Sequence, residues 1–261
     1  MRIFVISLLL IVLCLFSSAC NNASANFEKE TVVITDNLAL IKFDDEDTLL
    51  IANDFTLDSQ NGRIDELLNN AGVTEISYLV INAINENDYT RISTFVTNHA
   101  VKRAIIADAL DMPNLNIDGC VFDYNSTLAV IEGDNYSISV VHPNTSICKD
   151  NHLSVVITFG DKIVSFMSGN SEDINSACSF ITSTLINTNS VDFLYLSTTA
   201  DADLTYALTT LNPKVLYLSD NLKADTLKLV RATLPNAKLY LENFYKTLNL
   251  KLNDSGFSAI I

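Results

Sequence analysis

The sequence predicts an α/β fold of the αββα type, in which two mixed β-sheets pack face to face with helices on the outside. Three observations carry this prediction. Apolar residues make up 48% of the chain and charged residues 18%, a balance that supplies a buried core and argues against a disordered chain. Strand-like runs arrive in hairpin-spaced groups followed by strand–helix units, and that order occurs twice along the chain. No fixed-period repeat accompanies it, so the two halves read as two sheets that cover each other's apolar faces.

The N-terminus reads as an export signal. Met1-Arg2 supplies one positive charge, Ile3 to Phe16 is apolar apart from Ser7, and Ser17-Ser18-Ala19 leads into Cys20. A charged start, a short apolar run and a small-residue junction describe a secretory signal, because a membrane span needs about 20 apolar residues. Ser17-Ser18-Ala19-Cys20 resembles the lipobox of bacterial lipoproteins, with Ser17 where leucine is usual. That resemblance implies cleavage before Cys20 and lipid on its sulfur. The expected organisation is a signal over 1–19, a lipidated tether over 20–29 and one globular domain over 30–261, on the extracytoplasmic face of a bacterial membrane.

The globular part begins with three strand patterns, Thr31–Thr35, Leu38–Phe43 and Thr48–Ala52, separated by Asp36-Asn37 and the acidic turn Asp44 to Asp47. Asn61-Gly62 precedes an amphipathic helix with Ile64, Leu67 and Leu68 on one face, and Gly72 closes it. Ile76–Ile81 reads as a buried strand, Asp88–Asn98 as a helix and Arg103–Ala107 as another strand. An irregular stretch runs through Met112-Pro113 to Gly119.

In the second half, strands are expected at Ser126–Ile131, Tyr136–Val141, Leu153–Phe159 and Ile163–Met167. A helix over Ser171–Ile186 follows. Then come strand Phe193–Leu196, helix Asp201–Leu211, strand Val215–Leu218, helix Lys223–Leu234 and strand Lys238–Leu241. A last pair covers Thr247–Leu252 and Phe257–Ile261. The Ile76–Ile81 and Phe193–Leu196 strands are expected side by side or symmetrically placed about the centre.

Charge narrows the partners. Asp plus Glu number 31 against 16 Lys plus Arg, a formal charge of −15. A field of that sign repels phosphate backbones, and no basic patch with interleaved aromatics is present, so direct nucleic-acid binding is not expected. Beyond Cys14 and Cys20, three cysteines remain: Cys120, Cys148 and Cys178. Their spacing fits no zinc pattern, and a disulfide between two of them is left open.

Several segments taken in order resemble the metallo-β-lactamase fold, most closely the C-terminal domain of ComEC-type competence proteins. In the first half they are Thr48-Leu49-Leu50-Ile51, the helix at Asn61 to Asn70, and Gly72 to Ile81. In the second they are Ser139 to Pro143, Asp150 to Ile157, Phe159 to Lys162, Phe166 to Asn170, Val191 to Leu196 and Leu211 to Val215. Active relatives carry His-x-His-x-Asp-His after the first central strand, where imidazoles and a carboxylate hold one or two metals that lower the pKa of a bound water. The resemblance places Ala83 and Asn85 at the two spaced histidines, Asn87 at the aspartate and Asp88 at the last histidine. Asn170 falls at the bridging aspartate, and Thr198-Thr199 at the His-His pair.

Neutral amides and hydroxyls do not replace that donor set, so no metal or other cofactor is expected. The reading that follows is a lipid-anchored, catalytically inactive binding or accessory module for an unidentified protein or small molecule. Two alternatives stand beside it: a metal-dependent hydrolase rebuilt around Asp88, Asn170, Asp201 and other acidic groups, and a small-molecule-binding lipoprotein with its own pocket. Asp88, Asp201 and Asp203 could also gather as a weak calcium site, although no EF-hand spacing exists. His99, His142 and His152 read as structural, and Ser154 and Ser168 as plain strand serines.

Overall fold

Strands buried on both faces read as near-continuous apolar runs, and such runs build both sheets. The computed structural model describes residues 31–35, 38–43, 46–53, 62–83, 89–107, 115–142, 152–186, 190–198, 201–219, 222–245, 247–253 and 256–260. Cys20, the apolar run before it and Cys148 lie outside these residues. Among the described residues no helix is long and apolar enough to cross a membrane.

β1 (Thr31–Thr35), β2 (Leu38–Lys42) and β3 (Thr48–Asn53) form an antiparallel meander. Helix α1 (Arg63–Ala71) returns the chain to β4 (Glu75–Ala83), parallel to β3, and α2 (Tyr89–Asn98) leads to β5 (Ala100–Ala107). α1 buries Ile64, Leu67 and Leu68, as its spacing predicts, and Gly72 ends it at φ 65°, a left-handed conformation that glycine adopts without Cβ strain. β6 (Val121–Asn125) closes that side. With β14 (Thr247–Asn253) and β15 (Gly256–Ile260) the sheet has eight strands in the order β15-β14-β1-β2-β3-β4-β5-β6.

The second sheet starts with the antiparallel strands β7 (Leu128–Glu132), β8 (Ser137–Val141), β9 (Ser154–Phe159) and β10 (Lys162–Gly169). Helix α3 (Ser171–Phe180) leads to β11 (Phe193–Thr198), α4 (Thr205–Leu211) to β12 (Val215–Leu218), and α5 (Ala224–Thr233) to β13 (Lys238–Leu241). β10 to β13 run parallel, and the order is β13-β12-β11-β10-β9-β8-β7.

Alternation along the strands divides the core into three layers. Ile34, Ile41, Leu49 and Val80 of the first sheet meet Ile138, Ile157, Phe166 and Phe193 of the second. On the outer faces, Leu50, Leu79 and Ile106 pack with α1 and α2, and Met167, Leu194 and Leu216 with α3 and α4. This is the αββα sandwich that the sequence predicts. At one end of the interface Asp47 Oδ2 accepts the hydroxyls of Tyr136, at 2.8 Å, and Tyr78, at 3.4 Å, joining the sheets. Phe43 stacks on Tyr136 with ring centroids 3.7 Å apart. Burial, followed by the hydrogen bond to Asp47, holds the Tyr136 phenol well above its ordinary pKa of 10.0.

Three expectations need correction. The strand expected at Ser126–Ile131 begins at Leu128, as β7, and a strand that was not expected, β6, precedes it across a corner at Ser126 and Thr127. Asn125 makes that corner: its amide nitrogen donates to the Val140 carbonyl at 2.8 Å, and its Oδ1 accepts the Thr127 N–H at 3.1 Å. The helix expected from Asp201 starts at Thr205, because Asp203 Oδ1 accepts the Thr205 N–H and fixes a turn before it. The helix over Ser171–Ile186 is α-helical only to Phe180. Ile181–Leu185 is a π-turn, where Thr182 and Ser183 hydroxyls bond back to the Cys178 and Phe180 carbonyls. Of the two placements expected for the strands containing Ile76–Ile81 and Phe193–Leu196, the structure has the symmetric one: they lie in opposite sheets, each third from an edge.

Candidate functional site

In a sandwich with parallel central strands, ligand sites form beyond the carboxyl ends of those strands. Here β4, β10 and β11 end together on one side, and Ala83, Asn170 and Thr198, the described positions among those singled out by sequence, lie at those ends. Asn82 is the last buried residue of β4, at 4% exposure. Its carbonyl accepts two hydrogen bonds from the opposite sheet, the Leu153 N–H at 2.8 Å and the Ser168 hydroxyl at 3.1 Å. The same hydroxyl lies 3.3 Å from His152 Nδ1. Asn82, His152 and Ser168, far apart in sequence, therefore form one polar cluster between the two sheets. The Asn82 side-chain oxygen is buried there without a hydrogen-bond partner.

Asn170, at the expected bridging-aspartate position, is occupied as a helix cap. Its Oδ1 accepts the backbone N–H groups of Glu172 at 2.7 Å and Asp173 at 3.1 Å, while its own N–H donates to Asp173 Oδ2 at 3.1 Å. This reciprocal capping box satisfies the first N–H groups of α3. Gly169 precedes it at φ 121°, and a Cβ built there would lie 2.7 Å from Asp173 Oδ2 and 2.9 Å from Asp173 Cβ. Both the backbone angle and the approach of Asp173 therefore demand glycine. Asp173 is 2% exposed.

Thr198, at the first position of the expected His-His pair, is turned inward. Its hydroxyl donates to the Gly169 carbonyl at 2.8 Å, and its N–H to Ser219 Oγ at 3.3 Å. It ties the end of β11 to the end of β10. Ala83 ends β4, and Asn85, Asn87, Asp88 and Thr199 lie outside the described residues.

The acidic groups suggested for a cation do not converge where they are described. Asp201 pairs with Lys223. Asp203 accepts the Thr205 N–H at 3.0 Å, and hydrogen bonds from Thr205 hold its carboxyl below the usual range. Among the described residues no three His, Cys, Asp or Glu side chains come together in a metal-binding group. His152 is the described imidazole of this cluster, and one imidazole beside a serine hydroxyl falls short of the three or four donors that zinc takes.

The other histidines serve the scaffold. His99 stacks on Phe95 with centroids 4.2 Å apart and places Nε2 3.4 Å from Asp65 Oδ1. His142 is buried and donates its N–H to the Thr127 carbonyl. Cys120 and Cys178 are free thiols, and burial pushes Cys178 up to about 12. Sequence reasoning missed the pairing of His152 with Ser168. Its signal was positional: His152 sits just before one central strand and Ser168 near the end of the next.

No protein-family model matches the chain, and no curated protein matches it. Solved structures do. A variant of the CmlA β-hydroxylase aligns over 86% of this chain and 54% of its own, with a TM-score of 0.60 and 9% identity. The chain thus spans about half the length of that protein. Tm1679, described as a metal-dependent hydrolase of the β-lactamase superfamily, aligns over 86% of this chain and 100% of its own, with a TM-score of 0.52 and 13% identity. Igni18, described as a novel metallo hydrolase from Ignicoccus hospitalis, aligns over 85% and 100%, with a TM-score of 0.54 and 14% identity. Two mixed sheets with outer helices, and an alignment running the full length of two such proteins, give this chain the metallo-β-lactamase fold.

Proposed function

We propose that this protein is an exported, lipid-anchored binding or accessory module. In it, a metallo-β-lactamase-like domain of the ComEC type has exchanged metal ligation for internal hydrogen bonding. One observation carries the reading: the side chains at the positions of two former ligands, Asn170 and Thr198, are committed to the protein's own backbone. A ligand residue must aim a lone pair at the metal, whereas Asn170 aims its oxygen at the first turn of α3. Losing even one outer-shell partner lowers metal affinity or activity by about 10–100-fold, and here the inner donors themselves are replaced. A rebuilt metallo-hydrolase site would keep the activity described for Tm1679 and Igni18, and it is the alternative that metal binding would favour.

Zinc titration followed by thermal unfolding tests the proposal. A site filled at a hundredfold excess over its dissociation constant stabilises by about 2.7 kcal/mol, roughly 5 °C for a domain of this size. The expected result is no upward shift with zinc and no downward shift with EDTA. A zinc-dependent rise of that order would favour the hydrolase.

A further inference from the structure

β7 is the edge strand of the second sheet and pairs with β8. At one end of this hairpin the Gly133 N–H donates to the Tyr136 carbonyl at 2.9 Å, and at the other the His142 N–H donates to the Thr127 carbonyl at 2.9 Å. Antiparallel ladders alternate hydrogen-bonded and non-hydrogen-bonded pairs. Thr127, Ala129, Ile131 and Gly133 therefore turn their backbone groups toward β8, and Leu128, Val130 and Glu132 turn theirs to the open side. Proteins commonly blunt such an edge with lysine, proline or a bulge. β13 opens on the exposed Lys238, whereas β7 reads Leu-Ala-Val-Ile-Glu in unbroken register with β8. Val130 is 45% exposed, so the middle of the strand lies open to solvent.

Charge selects the occupant. Between Arg103 and Lys149 the sequence holds no Lys or Arg and six carboxylates, Asp108, Asp111, Asp118, Asp123, Glu132 and Asp134. This stretch supplies β6, β7 and β8, and so an edge of each sheet. Asp123 pairs with Arg103. Glu132 is exposed beside the Ser137 hydroxyl, and Asp134 is exposed in the hairpin turn. Among the described residues no cation pairs with either. A second copy would bring the same carboxylates and another formal charge of −15 to this edge.

We propose that the open edge of β7 accepts an extended segment of a cationic protein as an added antiparallel strand, in which Lys or Arg alternates with apolar residues. Main-chain bonds to Leu128, Val130 and Glu132 hold the segment, and side-chain alternation reads it. Its apolar residues continue the inner layer of Ala129 and Ile131, which pack on the inter-sheet core. Its cations lie on the outer face with Val130 and Glu132, where an opposite charge across from Glu132 is favourable. Strand addition here requires neither the metal-free state nor lipid at Cys20, so zinc titration and peptide binding fail independently.

The test titrates purified mature protein into fluorescein-labelled Lys-Val-Lys-Val-Lys-Val-Lys and follows anisotropy. Saturable binding is expected, and none to Glu-Val-Glu-Val-Glu-Val-Glu. Residues opposite Leu128, Val130 and Glu132 are the lysines, so N-methylating the lysine amides should weaken binding by about tenfold or more, and N-methylating the valine amides by much less. Val130→Pro removes an outward N–H and spares the ladder to β8, and should weaken binding by about fivefold. Glu132→Lys should also weaken it, with the difference shrinking in about 0.5 M salt. Equal affinity of the two methylated probes overturns strand addition, and equal affinity of the cationic and anionic probes overturns the partner chemistry. No saturable binding up to about 1 mM probe overturns the proposal. Protein of that kind sedimenting as a dimer that Val130→Pro dissociates would assign the edge to a second copy instead.

Discussion

Replacing Asn170 with alanine separates a helix cap from a metal ligand. The substitution removes the acceptor of two backbone N–H groups, those of Glu172 and Asp173, and leaves the reverse bond from Asn170 N–H to Asp173 in place. Loss of an N-cap acceptor costs about 0.5–2 kcal/mol, and two bonds at a half-buried helix start argue for roughly 1–1.5. At about 2.1 cal/mol/K of unfolding entropy per residue, that lowers the melting temperature of this domain by about 2–3 °C. Asn170→Asp restores the carboxylate of active relatives. Because aspartate caps about as well as asparagine, it should melt within about 1 °C of wild type. It should also gain no response to zinc, since the other matching positions offer one carboxylate, Asp88, and no imidazole. Calorimetric melts of the three proteins, each with zinc and with EDTA, decide the matter. An alanine variant as stable as wild type would refute the capping account. Zinc stabilisation of the aspartate variant would show that a nearly complete metal site remains around it.

Other consequences follow from the same geometry. Gly169→Ala forces a Cβ to 2.7 Å from Asp173 Oδ2 at φ 121°. Strain of this kind costs about 1–3 kcal/mol, so its urea midpoint should fall clearly, and an unchanged midpoint would mean that the turn relaxes freely. Tyr136 has its folded-state pKa raised above its ordinary 10.0 by burial and by Asp47. Its stabilising contribution is therefore complete below pH 10 and declines as pH rises beyond it. Tyr136→Phe should be less stable at neutral pH yet lose less between about pH 10 and 12; parallel alkaline curves for the two proteins would contradict this. Cys20→Ala should release the protein from the membrane fraction or leave an uncleaved precursor. Mature wild-type protein recovered free in the medium, starting at Asn26, would point to ordinary signal cleavage.

Much of the fold was legible because both faces of most strands are buried, so runs such as Leu38–Ile41 and Val215–Leu218 are apolar throughout. The pattern failed at β6, which is only half buried: Phe122 and Tyr124 pack against the core while Asp123 between them pairs with Arg103. It failed again at the start of α4, where the side chain of Asp203 sets the first turn. At the site, the exchange of ligand residues for Asn170 and Thr198 was readable by position. What those residues do instead was not, because capping and inter-strand bonds depend on which way a side chain turns. The His152–Ser168–Asn82 cluster was hidden for a related reason. Its bonds span 86 residues of sequence and appear only when two sheets are laid face to face.

The central claim, a metallo-β-lactamase fold that works without metal, is tested most directly by elemental analysis of the purified mature protein after dialysis. Imidazole and carboxylate donors are what retain zinc through dialysis, and the described residues do not assemble them. The account predicts zinc, manganese and iron each well below about 0.1 equivalent, with stability and partner binding unchanged by EDTA. About one equivalent of any of them, lost to EDTA together with a phosphodiesterase or β-lactam-cleaving activity, would contradict it and establish the protein as a metallo-hydrolase with a rebuilt site.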